Sequence, residues 1–158
     1  MKKSMIGFLA AVVGIVVGVA GVNYYKNKSI AEIAGKTDKF RDYYNLVNQW
    51  LVLKNEGKRL DKYFINHGYK SIAIYGMGEL GNRLYEELKD SEIKIKYAID
   101  KNAESTYSEL EVIGLEEDME EVDVIVVTAT FAFEDIEEEL KGKVNYQMIS
   151  LEDVVYDL

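Results

Sequence analysis

The sequence has no cysteine and no proline, and only one histidine and one tryptophan in 158 residues. Without cysteine there is no disulfide framework and no thiol chemistry, and the redox compartment cannot be read. His67 alone cannot supply the nitrogen and sulfur ligands of a zinc site, so no metal ligands are assigned. A Ser-His-Asp set is excluded as well, because the one imidazole precedes the expected sheet. No catalytic residues are assigned.

Positive charge is scarce beyond residue 68. Residues 1–68 hold 11 Lys/Arg against 5 Asp/Glu, a net +6, whereas residues 69–158 hold 8 against 23, a net −15. An acidic half of that kind repels polyanions, so nucleic acid is not expected as a partner. The basic stretch adjoins an apolar N-terminus, where it can face anionic lipid head groups.

"MIGFLAAVVGIVVGVAGVNYY", Met5 to Tyr25, carries no charge over 21 residues. At about 1.5 Å per residue a helix of that length reaches about 31 Å, close to the hydrocarbon core of a bilayer. Tyr24 and Tyr25 then fall at the interface. The competing reading is a cleaved signal peptide, with Lys2 and Lys3 as its basic region and Gly18-Val19-Ala20 as its cleavage site. The run is longer than the usual apolar core of such peptides, about 7–15 residues. Residues 1–25 are therefore expected to be a transmembrane anchor. Lys26, Lys28, Lys36, Lys39 and Arg41 after the span, against Lys2, Lys3 and the amino terminus before it, lead to the expectation that the C-terminal region is cytoplasmic. Gly14 and Gly18 form a G-x-x-x-G face suited to self-association, and small residues common to membrane helices are the plainer explanation.

Residues 26–68 are expected to form a basic linker and a helical hairpin. From Thr37 to Asn55, Phe40, Tyr43, Tyr44, Val47, Trp50 and Leu51 recur at steps of three and four, one face of a helix with Thr37 or Asp38 as N-cap. Gly57 stands just past its end, and Gly68 stops a second helix carrying Leu60, Tyr63 and Phe64. The aromatic stripe is expected to pack as core against the next domain, with a partner-docking surface as the alternative. His67 receives no role.

Residues 69–158 read as an α/β domain. "SIAIY" (Ser71 to Tyr75) is a β-rich run, followed at once by Gly76, Gly78 and Gly81 in G-x-G-x-x-G spacing and by helical spacing at Leu80, Leu84 and Leu88. Strand, glycine turn and helix form the setting of a dinucleotide fingerprint. Gly76 permits the tight turn, Gly78 lets the backbone approach a pyrophosphate, and Gly81 allows close helix–strand packing. Amides at the helix start, which includes Met77 and Glu79, favour a phosphate, although the Glu79 carboxylate would stand close to it. "IKIKYAID" ends in Asp100, placed to bond a ribose hydroxyl. Lys101 can instead accommodate a 2′-phosphate, which leaves NAD and NADP both open. "VDVIVVTAT" (Val122 to Thr130) is an apolar strand, "FEDIEEELKG" its helix, "VNYQMISL" a further strand and "EDVVYDL" a closing helix. "LEVIGL" adds a short strand around Val112. The expected fold is a small doubly wound parallel sheet, with a crevice lined by Gly76 to Gly81, Asp100, and Thr128, Ala129 and Thr130. Tyr85 and Lys89 share the spacing of the short-chain dehydrogenase pair but lie in the wrong helix for it.

Through "IAIYGMGELG", "KYAIDKN", "VDVIVVTAT" and "MISLEDVV", residues 37–158 resemble a Rossmann-like module associated with bacterial capsule and exopolysaccharide proteins. They are also similar to the nucleotide-binding front half of sugar-modifying enzymes in those pathways. The resemblance implies a cytoplasm-facing NAD(P) or nucleotide-sugar site at Gly76, Gly78, Gly81 and Asp100. The second, substrate-binding domain of complete enzymes of this kind has no counterpart in the sequence. The expected role is a membrane-anchored nucleotide binder accessory to surface polysaccharide biosynthesis, with a biosynthetic enzyme as partner. A non-enzymatic membrane adaptor with a vestigial site is the alternative.

Overall fold

The computed structural model describes the backbone of residues 2–158 and the side chains from Tyr25 onward, apart from Asn27, Ala31 and Glu32. The expected span from Met5, Tyr25 excepted, and its Gly14/Gly18 face lie outside the described side chains. Among the described residues no helix is long and apolar enough to cross a membrane. Contacts divide the chain into two units, Met1–Tyr43 and Tyr44–Leu158.

Helix α1 runs over Lys2–Asn55, so the helix expected to begin at Thr37 or Asp38 does not begin there. The Thr37 hydroxyl donates to the Ile33 carbonyl four residues back, a bond made inside a helix rather than at its cap. Within the first unit Arg41 pairs with Asp38 at 2.9 Å, one turn away. At the other end of α1, Gly57 has φ 76°, its N–H donates to the Lys54 carbonyl, and Lys58 N–H donates to that of Leu53. That pair of bonds closes the helix as a Schellman motif.

In the second unit the chain continues through α2 (Asp61–Asn66), β1 (Ser71–Tyr75), α3 (Glu79–Leu88), β2 (Lys94–Ile99), β3 (Val112–Ile113), β4 (Val124–Val127), α4 (Phe133–Leu140), β5 (Gln147–Ser150) and α5 (Leu151–Tyr156). The five strands form one parallel sheet in the order β3-β2-β1-β4-β5. The fold is α/β. β1 sits at the centre, with Ile72 opposite Val124 and Tyr75 opposite Val127 on one side, and Tyr75 opposite Ile99 on the other.

Strand residues alternate between two cores, as the two-residue side-chain period requires. Ile72, Ile74, Val124 and Val126 meet Phe64 of α2, Leu84 and Leu88 of α3, and Val154 and Val155 of α5. Tyr75, Ile99, Ile125 and Val127 meet Ile136 and Leu140 of α4 on the opposite face. Burial on both faces explains why "VIVV" (Val124–Val127) is apolar throughout. Each such side chain contributes roughly 1.5–3 kcal/mol of transfer free energy.

The aromatic stripe differs from expectation. The last turns of α1 bury Leu46, Trp50 and Leu53, spaced i, i+4, i+7, while Tyr44, Val47 and Leu51 remain exposed. Trp50 is thus core, and its assumed companions are not. The cause is Glu87 of α3, whose side chain is only 3% exposed. Its carboxylate accepts from Trp50 Nε1 at 2.8 Å and from Leu60 N at 2.9 Å, and Lys54 Nζ lies 3.0 Å away. A buried carboxylate requires such partners, and satisfying them turns the helix so that the tryptophan faces inward.

Candidate functional site

The turn from β1 into α3 uses its three glycines in three ways. Gly76 has φ 92°, and a Cβ there would lie 2.9 Å from Thr128 Oγ1. Gly81 is excluded from carrying a side chain by contact alone, because its Cβ would stand 2.1 Å from the Gly76 carbonyl oxygen. Gly78 is different. Its backbone is extended (φ −71°, ψ −160°), a conformation open to any residue, and a Cβ there would meet nothing within 4 Å. Gly78 is also the N-cap of α3, and no side chain caps that helix end.

Hydrogen bonds draw three strand ends together around this turn. The Thr128 hydroxyl, at the end of β4, is buried and lies 2.7 Å from the Gly76 carbonyl and 3.1 Å from that of Tyr75, to which it donates. Asp100, at the end of β2, accepts from the Met77 amide at 2.9 Å through Oδ2 and from Asn102 N through Oδ1. Asn82 of α3 donates its side-chain amide to the carbonyls of Met77 and Gly78. The loop is therefore held in shape by the protein itself. The Met77 side chain is buried in the core, and its amide is taken by Asp100.

Other expected residues point elsewhere. Lys101 Nζ lies 2.7 Å from Glu139 of α4, and that hydrogen bond raises its pKa. Glu79 is exposed in the first turn of α3. Ala129 is half-buried after β4, and Thr130 opens a short 3-10 turn over Thr130–Ala132. Thr130 lines a cavity of about 450 Å³ with Phe133, Glu134, Asp135, Ser150 and Asp153. The glycines and Asp100 do not line that cavity. Its four acidic side chains, Glu134, Asp135, Glu152 and Asp153, disfavour an anion.

The Tyr75 hydroxyl is buried without a hydrogen-bond partner. Burial pushes its pKa up, Lys101 counteracts that shift, and Glu139 and Asp100 reinforce it. Tyr85 and Lys89 are in contact through the ring, with Lys89 Nζ 5.9 Å from its centroid and ion-paired to Glu86. That arrangement belongs to a helix surface.

The sequence reading missed Glu87 and Asn82. Glu87 had a usable signal, an acidic residue one position before Leu88 in a helix otherwise apolar on that side. Asn82 had none, since its bonds go to backbone carbonyls.

The protein-family model described as C2185-like, N-terminal, matches residues 68–150, just over half of the chain. No curated protein and no solved structure matches it. The matched residues cover all five strands and the glycine turn, from just after α2 to the end of β5. The chain belongs to the C2185-like, N-terminal family.

Proposed function

We propose that the chain binds a dinucleotide or nucleotide-sugar by its diphosphate at the turn between β1 and α3. The observation that carries this reading is Gly78. Contacts within the fold explain Gly76 and Gly81, but nothing in the fold requires a glycine at position 78. Serine or aspartate there would cap α3 with a side-chain oxygen and stabilise it. A bare backbone forgoes that cap and leaves room for an external acceptor, as close approach of a pyrophosphate demands. The strand order β3-β2-β1-β4-β5 supports the reading, since it is the order of Rossmann-like doubly wound sheets, whose ligands sit beyond the carboxyl ends of the central strands.

In this reading Asp100 positions the loop, accepting the Met77 amide through Oδ2 and the Asn102 amide through Oδ1. NAD, NADP and UDP-sugars share the diphosphate that the turn would grip. The charge-free Met5–Tyr25 run and the lysines after it support a membrane anchor with the domain on the cytoplasmic side. The resemblance to capsule and exopolysaccharide modules supports a role accessory to surface polysaccharide biosynthesis. No catalytic step is assigned.

A second reading, a non-enzymatic adaptor with a vestigial site, is favoured by one fact: Asp100 and Thr128 already have partners inside the protein. Titration calorimetry of the full chain in detergent micelles, with NAD, NADP and UDP-glucose in turn, separates the two. Binding of one ligand, lost in Gly78→Val without loss of folding, supports the nucleotide reading. No heat from any ligand at millimolar concentration, or equal binding by the variant, leaves the adaptor.

A further inference from the structure

Seven residues of α1 recur with strict alternation of three and four: Ile30, Ile33, Thr37, Phe40, Tyr44, Val47 and Leu51. Six are apolar, over three heptads. Within the first unit Ile30, Ile33 and Phe40 are exposed, and within the second Tyr44, Val47 and Leu51 are exposed. The face that packs on the sheet domain is a separate one, formed by Leu46, Trp50 and Leu53. The exposed line therefore serves nothing within its own unit.

We infer that α1 pairs along this seam with α1 of a second copy of the chain. The period selects the occupant. A face packed on a sheet or on a crossing helix follows the 3.6-residue turn, whereas a sustained 3.5-residue repeat keeps contact only with another helix lying nearly alongside. A second copy presents the same repeat, so the surface is self-complementary about a two-fold axis.

The area is sufficient. Phe40 is 70% exposed and Tyr44 60%. An aromatic side chain carries about 150–250 Å² of buried surface when covered. Two such residues from each copy, with the four aliphatic ones, bring the total to on the order of 1,000 Å², the threshold for a specific interface. This inference stands apart from the nucleotide reading, since no residue is shared between them.

The absence of native cysteine makes the test direct. Single substitutions Phe40→Cys, Tyr44→Cys, Val47→Cys and Leu51→Cys on the seam, with Asp42→Cys and Asn45→Cys off it, are oxidised in the full chain in micelles. Covalent dimer is expected at seam positions severalfold above the off-seam pair. Crosslinks at all four seam positions indicate parallel helices, and crosslinks confined to one adjacent pair indicate antiparallel ones; both place a second copy on the seam. Equal yields on and off the seam, or no dimer at any position, overturn the inference. Light scattering gives a second readout: Phe40→Glu with Val47→Glu reduces the dimer to monomer, and an unchanged dimeric mass contradicts the seam.

Discussion

Two turns in the same sheet lead from a strand straight into a helix, and they end differently. After β5, Ser150 accepts from the Glu152 amide, and Asp153 accepts from the Ser150 amide, a complete capping box. After β1, Gly78 stands at the cap position with no side chain to offer. The first helix end is closed by a side chain of its own cap residue, and the second has no side-chain cap. Both turns lie at the carboxyl edge of a parallel sheet and both precede an amphipathic helix, so the secondary structure does not explain the difference. What differs is the cap residue itself: Ser150 carries a side-chain oxygen and Gly78 carries none, and the proposed diphosphate site rests on that contrast.

Four substitutions break or sharpen that contrast. Gly81→Ala has the largest effect, because its Cβ would sit 2.1 Å from a backbone oxygen that cannot easily retreat. The domain should lose about 3 kcal/mol in denaturant unfolding. Asp100→Ala comes next: the Met77 amide loses a charged acceptor, and stability falls by about 2 kcal/mol. A change under a few tenths would mean that the loop holds its shape without the carboxylate. Ser150→Ala removes the capping box, and thermal unfolding should register a loss of about 1 kcal/mol. Smallest is Gly78→Ser, which gives α3 the side-chain cap that α5 already has. It should stabilise the domain by a few tenths of a kcal/mol while weakening nucleotide binding. Stabilisation with unaltered binding would remove the reason proposed here for the glycine.

A fifth expectation concerns the opposite end of β1. Asp123 accepts from the amides of Lys70 and Ser71, and those bonds lower its pKa below the usual carboxylate value. A depressed folded-state pKa adds stability that is present above the unfolded value and is lost as pH falls through the folded one. Asp123→Asn should therefore flatten the acid limb of the stability profile below about pH 4, measured by urea unfolding across pH.

The sequence made the strands, their parallel order of appearance and the glycine turn legible, because each leaves a local mark: a β-rich run, a spacing, a helical period. The continuity of α1 through residues 26–36 was less visible. The missing proline was the signal, since nothing in that stretch breaks a helix. The inward turn of Trp50 was hidden because it depends on Glu87, 37 positions away, and no periodicity encodes a bond over that separation. The same holds for Asp100 and Thr128. Their positions at strand ends could be read, but whether their oxygens face a ligand or the loop backbone is decided by tertiary contact.

The most direct test follows backbone amide chemical shifts of the full chain in micelles as NAD, NADP or UDP-glucose is added. Saturable shifts centred on Gly78, Glu79 and Leu80, with Ser150 to Asp153 unmoved, are the predicted result. Shifts spread evenly over both turns, or none at either, would contradict the claim that the uncapped turn is the one kept open for a diphosphate.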